Sequence, residues 1–176
     1  VYVFVAHGFE EAEAIVPVDV LRRAELDVKM VGVGAKTITG AHGITVHCDM
    51  IDHMASPKDL EMVVLPGGMP GTLNLEKSET VQKFARYAVE HDLWRGAICA
   101  APSLLGHAGL LKGQRHTCFP GLHEGIEDGV HTGTRLEVDG KLITGKGPGV
   151  ATEFGLKLVE CLVGRDKASM IQAALQ

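Results

Sequence analysis

The feature that most constrains this chain is the alternation of short, fully apolar runs with longer amphipathic segments. Val1 to Ala6 reads VYVFVA, with no polar residue on either side of the pleat. A strand of that kind needs cover on both faces, the situation of strands inside a mostly parallel sheet. Further strands are predicted over Val28–Val33, Ile44–Cys48, Glu61–Leu65 and Leu93–Ile98, with Ile44–Cys48 the most polar and placed at an edge. Helical spacing appears over Glu10–Ala24, Glu76–His91 and Pro102–Leu111, then over Val150–Val163 and Asp166–Leu175, which Gly164 separates. Pro17 bends the first of these or sits near its opening turns. Asp139-Gly140 within Arg135–Thr144 marks a hairpin. Strands alternating with helices predict a three-layer αβα sandwich: a mostly parallel sheet with a small antiparallel hairpin.

Length and composition narrow the possible roles. At 176 residues the chain is expected to form one domain over 1–176 and to bury roughly 70% of its unfolded surface. It carries 17 Lys and Arg against 22 Asp and Glu, with no basic run, which argues against nucleic-acid binding. No apolar stretch approaches the roughly 18 residues of a membrane span, and no signal-peptide layout opens the chain. Val1 already lies inside a strand-like run, so a few residues are expected to precede it. Four cysteines without a C-x-x-C pair read as free thiols in a reducing, cytoplasmic setting.

Ligands of such sheets bind at the carboxyl ends of the strands. The segments placed there are His7 to Glu13, Pro66-Gly67-Gly68, Cys99, Cys118-Phe119-Pro120 and Gly147-Pro148-Gly149. Cys99 follows a strand and precedes a helix within Gly96-Ala97-Ile98-Cys99-Ala100-Ala101-Pro102. Small flanks around a nucleophile resemble the elbow that presents a serine in hydrolases. Pro102 suits a first helical turn, and the helix dipole is expected to lower the Cys99 pKa. The amides of Gly67, Gly68 and Ala100 are candidates for an oxyanion hole beside the thiol. For Glu10, Glu11 and Glu13, spacing alone favours ordinary helix-start carboxylates over a catalytic acid.

The other thiols have plainer prospects. Cys161, in an apolar helix, belongs to the core or an interface, whereas Cys48 and Cys118 are expected to be partly exposed at strand ends. His42, His47, Cys48, Asp49 and His53 make a metal-like group whose spacing fits no common zinc pattern, so no metal site and no cofactor are expected.

The blocks HGFEEAEAIVPVDVLRRA, VVLPGGMPG, GAICAAPSLL, GKGPG and LVGRDKA resemble the ThiJ/PfpI superfamily along nearly the whole chain. They are most similar to the branch of the parkinsonism-associated protein deglycase and bacterial YajL. That resemblance implies a flavodoxin-like sandwich and an oxidisable nucleophile at Cys99. It assigns Glu13 as the carboxylic acid beside the sulfur, able to stabilise a thiolate or a sulfinate. Gly67, Gly68 and the Gly147-Pro148 loop are then pocket residues. A homodimer is implied, with Val16 to Arg23 near the partner. In two places the sequence departs from the pattern: Phe119 stands where many members carry histidine, and His42 where close relatives tend to carry arginine. The first removes a ready-made Cys–His peptidase dyad, which only His116 or His123 could replace; the second puts anion binding near the His42 loop in question.

Three functions follow as expectations. The first is a cofactor-free enzyme acting on methylglyoxal or glycated groups through Cys99 and Glu13. The second is a redox-responsive stress protein or chaperone with little turnover. The third, a PfpI-type peptidase, is weakened by Phe119.

Overall fold

A computed structural model describes residues 1–175. Seven strands form the main sheet in the order β10-β11-β7-β6-β1-β2-β5. They are β1 (Tyr2–Val5), β2 (Lys29–Gly32), β5 (Met50–Ile51), β6 (Met62–Leu65), β7 (Trp94–Ile98), β10 (Leu136–Asp139) and β11 (Leu142–Gly145). All neighbours are parallel except β10 and β11, the hairpin foreseen from Asp139-Gly140. Asp139 pairs with Leu142, so the connecting residues are Gly140 and Lys141.

Period-two alternation divides β1 between two cores. Val3 and Val5 join Leu21, Phe154, Leu158 and Ile171 on one face. That face is covered by α1 (Glu11–Arg23), α5 (Ala151–Val163) and α6 (Arg165–Ala174). Phe4 points the other way, into Val63, Leu75, Phe84 and Leu104. There the cover comes from α2 (Gly71–Lys77), α3 (Glu79–Glu90) and α4 (Ala101–His107). Phe4 and Phe84 meet edge-to-face at 5.0 Å. The chain is therefore a three-layer sandwich, as its pattern predicted, and a flavodoxin-like one, as the resemblance implied.

Several boundaries differ from the sequence reading. Ile44–Cys48 contributes no strand to the main sheet. Its centre is β4 (Thr45–His47), paired antiparallel with β3 (Thr37–Thr39) in a separate ribbon, while Met50–Ile51 forms the sheet edge. The Glu76–His91 helix splits because Ser78 turns its side chain to cap Val81 N–H at 3.3 Å, ending α2 and opening α3. The helix after Cys99 stops at His107. Pro17 lies in the interior of α1, buried against α5. The strand expected before Cys118 is β8 (Arg115–His116), but it lies outside the main sheet, paired parallel with β9 (Val130–His131), which was not anticipated.

Candidate active site

The sheet changes direction at β1: the chain proceeds to β2 on one side and to β6 on the other. The carboxyl end of such a switch point is the usual ligand crevice. Three chain turns converge there. α1 brings Glu13 over the edge, the turn after β6 brings Gly67 and Gly68, and the turn after β7 brings Cys99.

Cys99 adopts φ 61°, a left-handed conformation uncommon for a residue with a side chain. Such strain persists when the surroundings hold it, and here they do. Its N–H donates to Gly145 O at 2.9 Å, and its carbonyl accepts from Phe119 N–H at 2.8 Å. Ser103 secures the next residue, with Oγ donating to Ala100 O at 2.7 Å. The elbow read from the sequence is thus a bend pinned to two neighbouring segments.

Gly67 is wedged between Glu13, Cys99 and Ala100. A Cβ there would fall 2.7 Å from Glu13 Oε2 and 2.8 Å from both Cys99 Cβ and Ala100 N. Its amide does not join an oxyanion hole, because it donates to Glu13 Oε2 at 2.9 Å. The N–H groups of Gly68 and Ala100 are those that act on the Cys99 sulfur. Gly68, at φ 90°, packs against the backbone of Phe9 and Glu10, leaving no room for a side chain.

Glu13 is fully buried, and Oε1 has no hydrogen-bond partner. Burial pushes its pKa up to about 7, against the lowering effects of Cys99 and the Gly67 amide. Cys99 also departs from the expected direction. Burial raises its thiol pKa, and a charged Glu13 raises it further, outweighing the Gly68 and Ala100 amides. The helix dipole foreseen as the controlling influence belongs to the seven-residue α4. The two groups titrate as a pair. When Glu13 holds the proton, its negative charge is removed and its O–H becomes a donor facing sulfur.

Phe119, Gly147 and Pro148 lie beside this cluster, lining a cleft of about 300 Å³ with Arg135 and Lys146. Phe119 is 46% exposed at its mouth. The sequence reading did not single out those two basic residues, whose pairing is long-range: Arg135 meets Glu153 at 2.5 Å, and Lys146 donates to Gly133 O at 3.2 Å. It also missed Glu11 as a clamp. Glu11 accepts from His42 N–H at 2.7 Å, His42 Nδ1 at 2.8 Å and Ile44 N–H at 3.4 Å. Burial works to raise the Glu11 pKa, but these donors hold it below the ordinary carboxylate range. His42 therefore holds its own loop to α1.

Histidine supplies none of the groups acting on Cys99. His116 packs against His131 and Gly129 instead, so no Cys–His dyad forms. Cys48 and Cys118, expected to be partly exposed, are 1% and 0% exposed, and burial pushes both thiols up to about 11. His47, Cys48, Asp49 and His53 do not join any three-residue metal-type cluster among the described residues.

A strained cysteine at a sheet switch point, faced by two amides and a buried carboxyl, defines a thiol-centred α/β protein. The chain belongs to the DJ-1/PfpI family, whose model matches residues 1–161. It is 36% identical over 174 residues to Arabidopsis thaliana protein DJ-1 homolog B, covering 97% of this chain but 40% of that relative. The chain thus spans less than half the length of that relative. It is 31% identical over 164 residues to the Caenorhabditis elegans glutathione-independent glyoxalase DJR-1.2, covering 92% of this chain and 87% of the relative. Among solved structures, a DJ-1 superfamily protein from Salmonella typhimurium, crystallised as a cysteine-to-alanine mutant, superposes with a TM-score of 0.93. That pair is 35% identical, with 98% of this chain and 95% of the other covered.

Proposed function

We propose that this chain is a cofactor-independent thiol enzyme acting on reactive carbonyls. It converts methylglyoxal to lactate and, by the same chemistry, releases adducts from glycated protein groups. The observation that carries this reading is the buried Glu13 carboxyl, protonated up to about pH 7, beside a sulfur that two backbone N–H groups face. The relative named as a glutathione-independent glyoxalase supports the substrate class.

Glu13 carboxylate takes the Cys99 thiol proton as the sulfur attacks the aldehyde carbon, forming a C–S bond while the carbonyl electron pair moves to oxygen. Glu13 delivers a proton to that oxygen, giving a hemithioacetal, and the Gly68 and Ala100 amides steady the developing charge. Glu13 carboxylate then removes the proton from the former aldehyde carbon and returns it to the adjacent carbon, while the hydroxyl proton of the first carbon passes to the neighbouring carbonyl oxygen. The first carbon is oxidised to a thioester and the second reduced to an alcohol, so no external redox partner is required. Water cleaves the thioester to lactate and free thiol. Cys99→Ser and Glu13→Gln should each lower lactate formation by at least about 10²-fold. Full activity in either variant, with its fold intact by circular dichroism, would sink the mechanism.

The same geometry favours a redox role as a second reading. A protonated carboxyl and two amides can hold a cysteine sulfinate, so Cys99 would act as a sensor. Stable addition of two oxygens at Cys99 under mild peroxide, without glyoxalase turnover, would decide for sensing. This reading goes with a reducing, cytoplasmic environment and a homodimer, with exposed residues of Val16–Arg23 such as Asp19 and Arg22 near the partner.

A further inference from the structure

A second thiol lies outside the Cys99 cluster, among histidines. Cys118 follows β8, His123 sits in the next turn, His131 closes β9, and His116 stands inside them. Donor atoms of Cys118, His123 and His131 all fall within 4.8 Å of one another. The His123 and His131 rings stack at 4.0 Å, and His116 lies 5.7 Å from His131. His116 is 0% exposed, and neither of its ring nitrogens has a partner. His123 Nδ1 and His131 Nε2 are also buried without partners. An unsatisfied buried polar atom costs about 1–3 kcal/mol, so unpartnered nitrogens on His123 and His131 beside the Cys118 sulfur call for a ligand that takes one donor from each residue.

We propose that Cys118, His123 and His131 form a binding site for a late first-row divalent cation of the zinc class. Sulfur and imidazole donors without a carboxylate select zinc-like ions over magnesium or calcium. Tetrahedral zinc bonded to sulfur and nitrogen sets its ligands roughly 3.5 Å apart, so closing the cluster needs shifts of about 1 Å. The two rings, now 6° from parallel, must turn about their terminal torsions for both lone pairs to meet one ion. Binding therefore unstacks them. Cys118 loses its proton to solvent as the metal–sulfur bond forms, and the resulting thiolate offsets the nearby Lys146 charge. His116 backs the His131 ring from the interior, the place of an outer-shell partner that fixes ligand orientation.

The test is titration of the reduced, full chain with Co²⁺ as a spectroscopic stand-in, followed by displacement with Zn²⁺. One equivalent should bind with the visible bands of tetrahedral cobalt and a sulfur-to-metal charge-transfer band. Both signals should persist in Cys99→Ser. Cys118→Ser should lose the charge-transfer band, and His123→Gln and His131→Gln should each bind at least about ten-fold more weakly. Because Cys118 is buried, the two half-buried histidine variants decide the matter if Cys118→Ser fails to fold. Failure of the wild type to bind, undiminished binding in both histidine variants, or loss of the charge-transfer band in Cys99→Ser would overturn the proposal.

Discussion

Gly67 shows how little space the site leaves at the scale of one residue. Its missing side chain admits the Glu13 carboxyl, Cys99 Cβ and the Ala100 amide at once. Gly67→Ala should therefore cost about 1–3 kcal/mol in urea unfolding and also separate Glu13 from the sulfur, abolishing lactate formation. Retained activity with wild-type stability would show that the backbone can yield there. The Glu13–Cys99 pair should also leave a signature in thiol reactivity. Alkylation of Cys99 should stay slow through pH 7, where Glu13 gives up its proton, and rise only above the ordinary thiol range, and Glu13→Gln should move that rise to lower pH by removing the neighbouring charge. A wild-type profile already complete below the ordinary thiol range, about 8.5, would contradict the raised thiol. The elbow itself was legible, because small residues around one cysteine between strand and helix have few other uses. The raised thiol pKa was not, since burial by three separate segments leaves no mark on local sequence.

At the scale of elements, the strands that read clearly are those buried on both faces. β1 and β6 are apolar enough that only a central position suits them. Ile44–Cys48 misled because half-polar alternation describes any two-stranded ribbon as well as a sheet edge; which of the two forms depends on the partner β3. The short pair β8 and β9 carries almost no periodicity at two residues each. Glu11 illustrates a link that no spacing rule reveals, since its partners lie about thirty residues away. Glu11→Ala should strand the amides of His42 and Ile44, costing about 1–3 kcal/mol in unfolding and quickening hydrogen exchange over 40–44. Unchanged exchange in that segment would mean the loop is held by β3–β4 pairing alone.

For the whole molecule, the buried Glu13 couples stability to pH. Its native pKa of about 7 lies above the ordinary 4.5, so the native state binds more protons than the unfolded chain between those values. Its contribution is fully present below pH 4.5 and is lost as pH rises through 7, a change of roughly 3 kcal/mol. Glu13→Gln should thus gain stability relative to wild type across that window; parallel urea midpoints from pH 4.5 to 7.5 would refute it. Family and layer order were legible because motifs and strand pattern run the length of the chain. The histidine cluster was not, because it depends on how residues 116–131 close over themselves.

The sheet ends as it does for a reason that bears on how copies of this protein can meet. One border is β5, two residues long; the other, β10, is antiparallel and has Arg115 N–H bonded to the Asp139 side chain at 2.8 Å. Neither offers a long row of free backbone groups on which another chain could template itself. Association is thereby steered onto the helical faces, where side chains choose the partner, and away from the open-ended strand addition that builds fibrils.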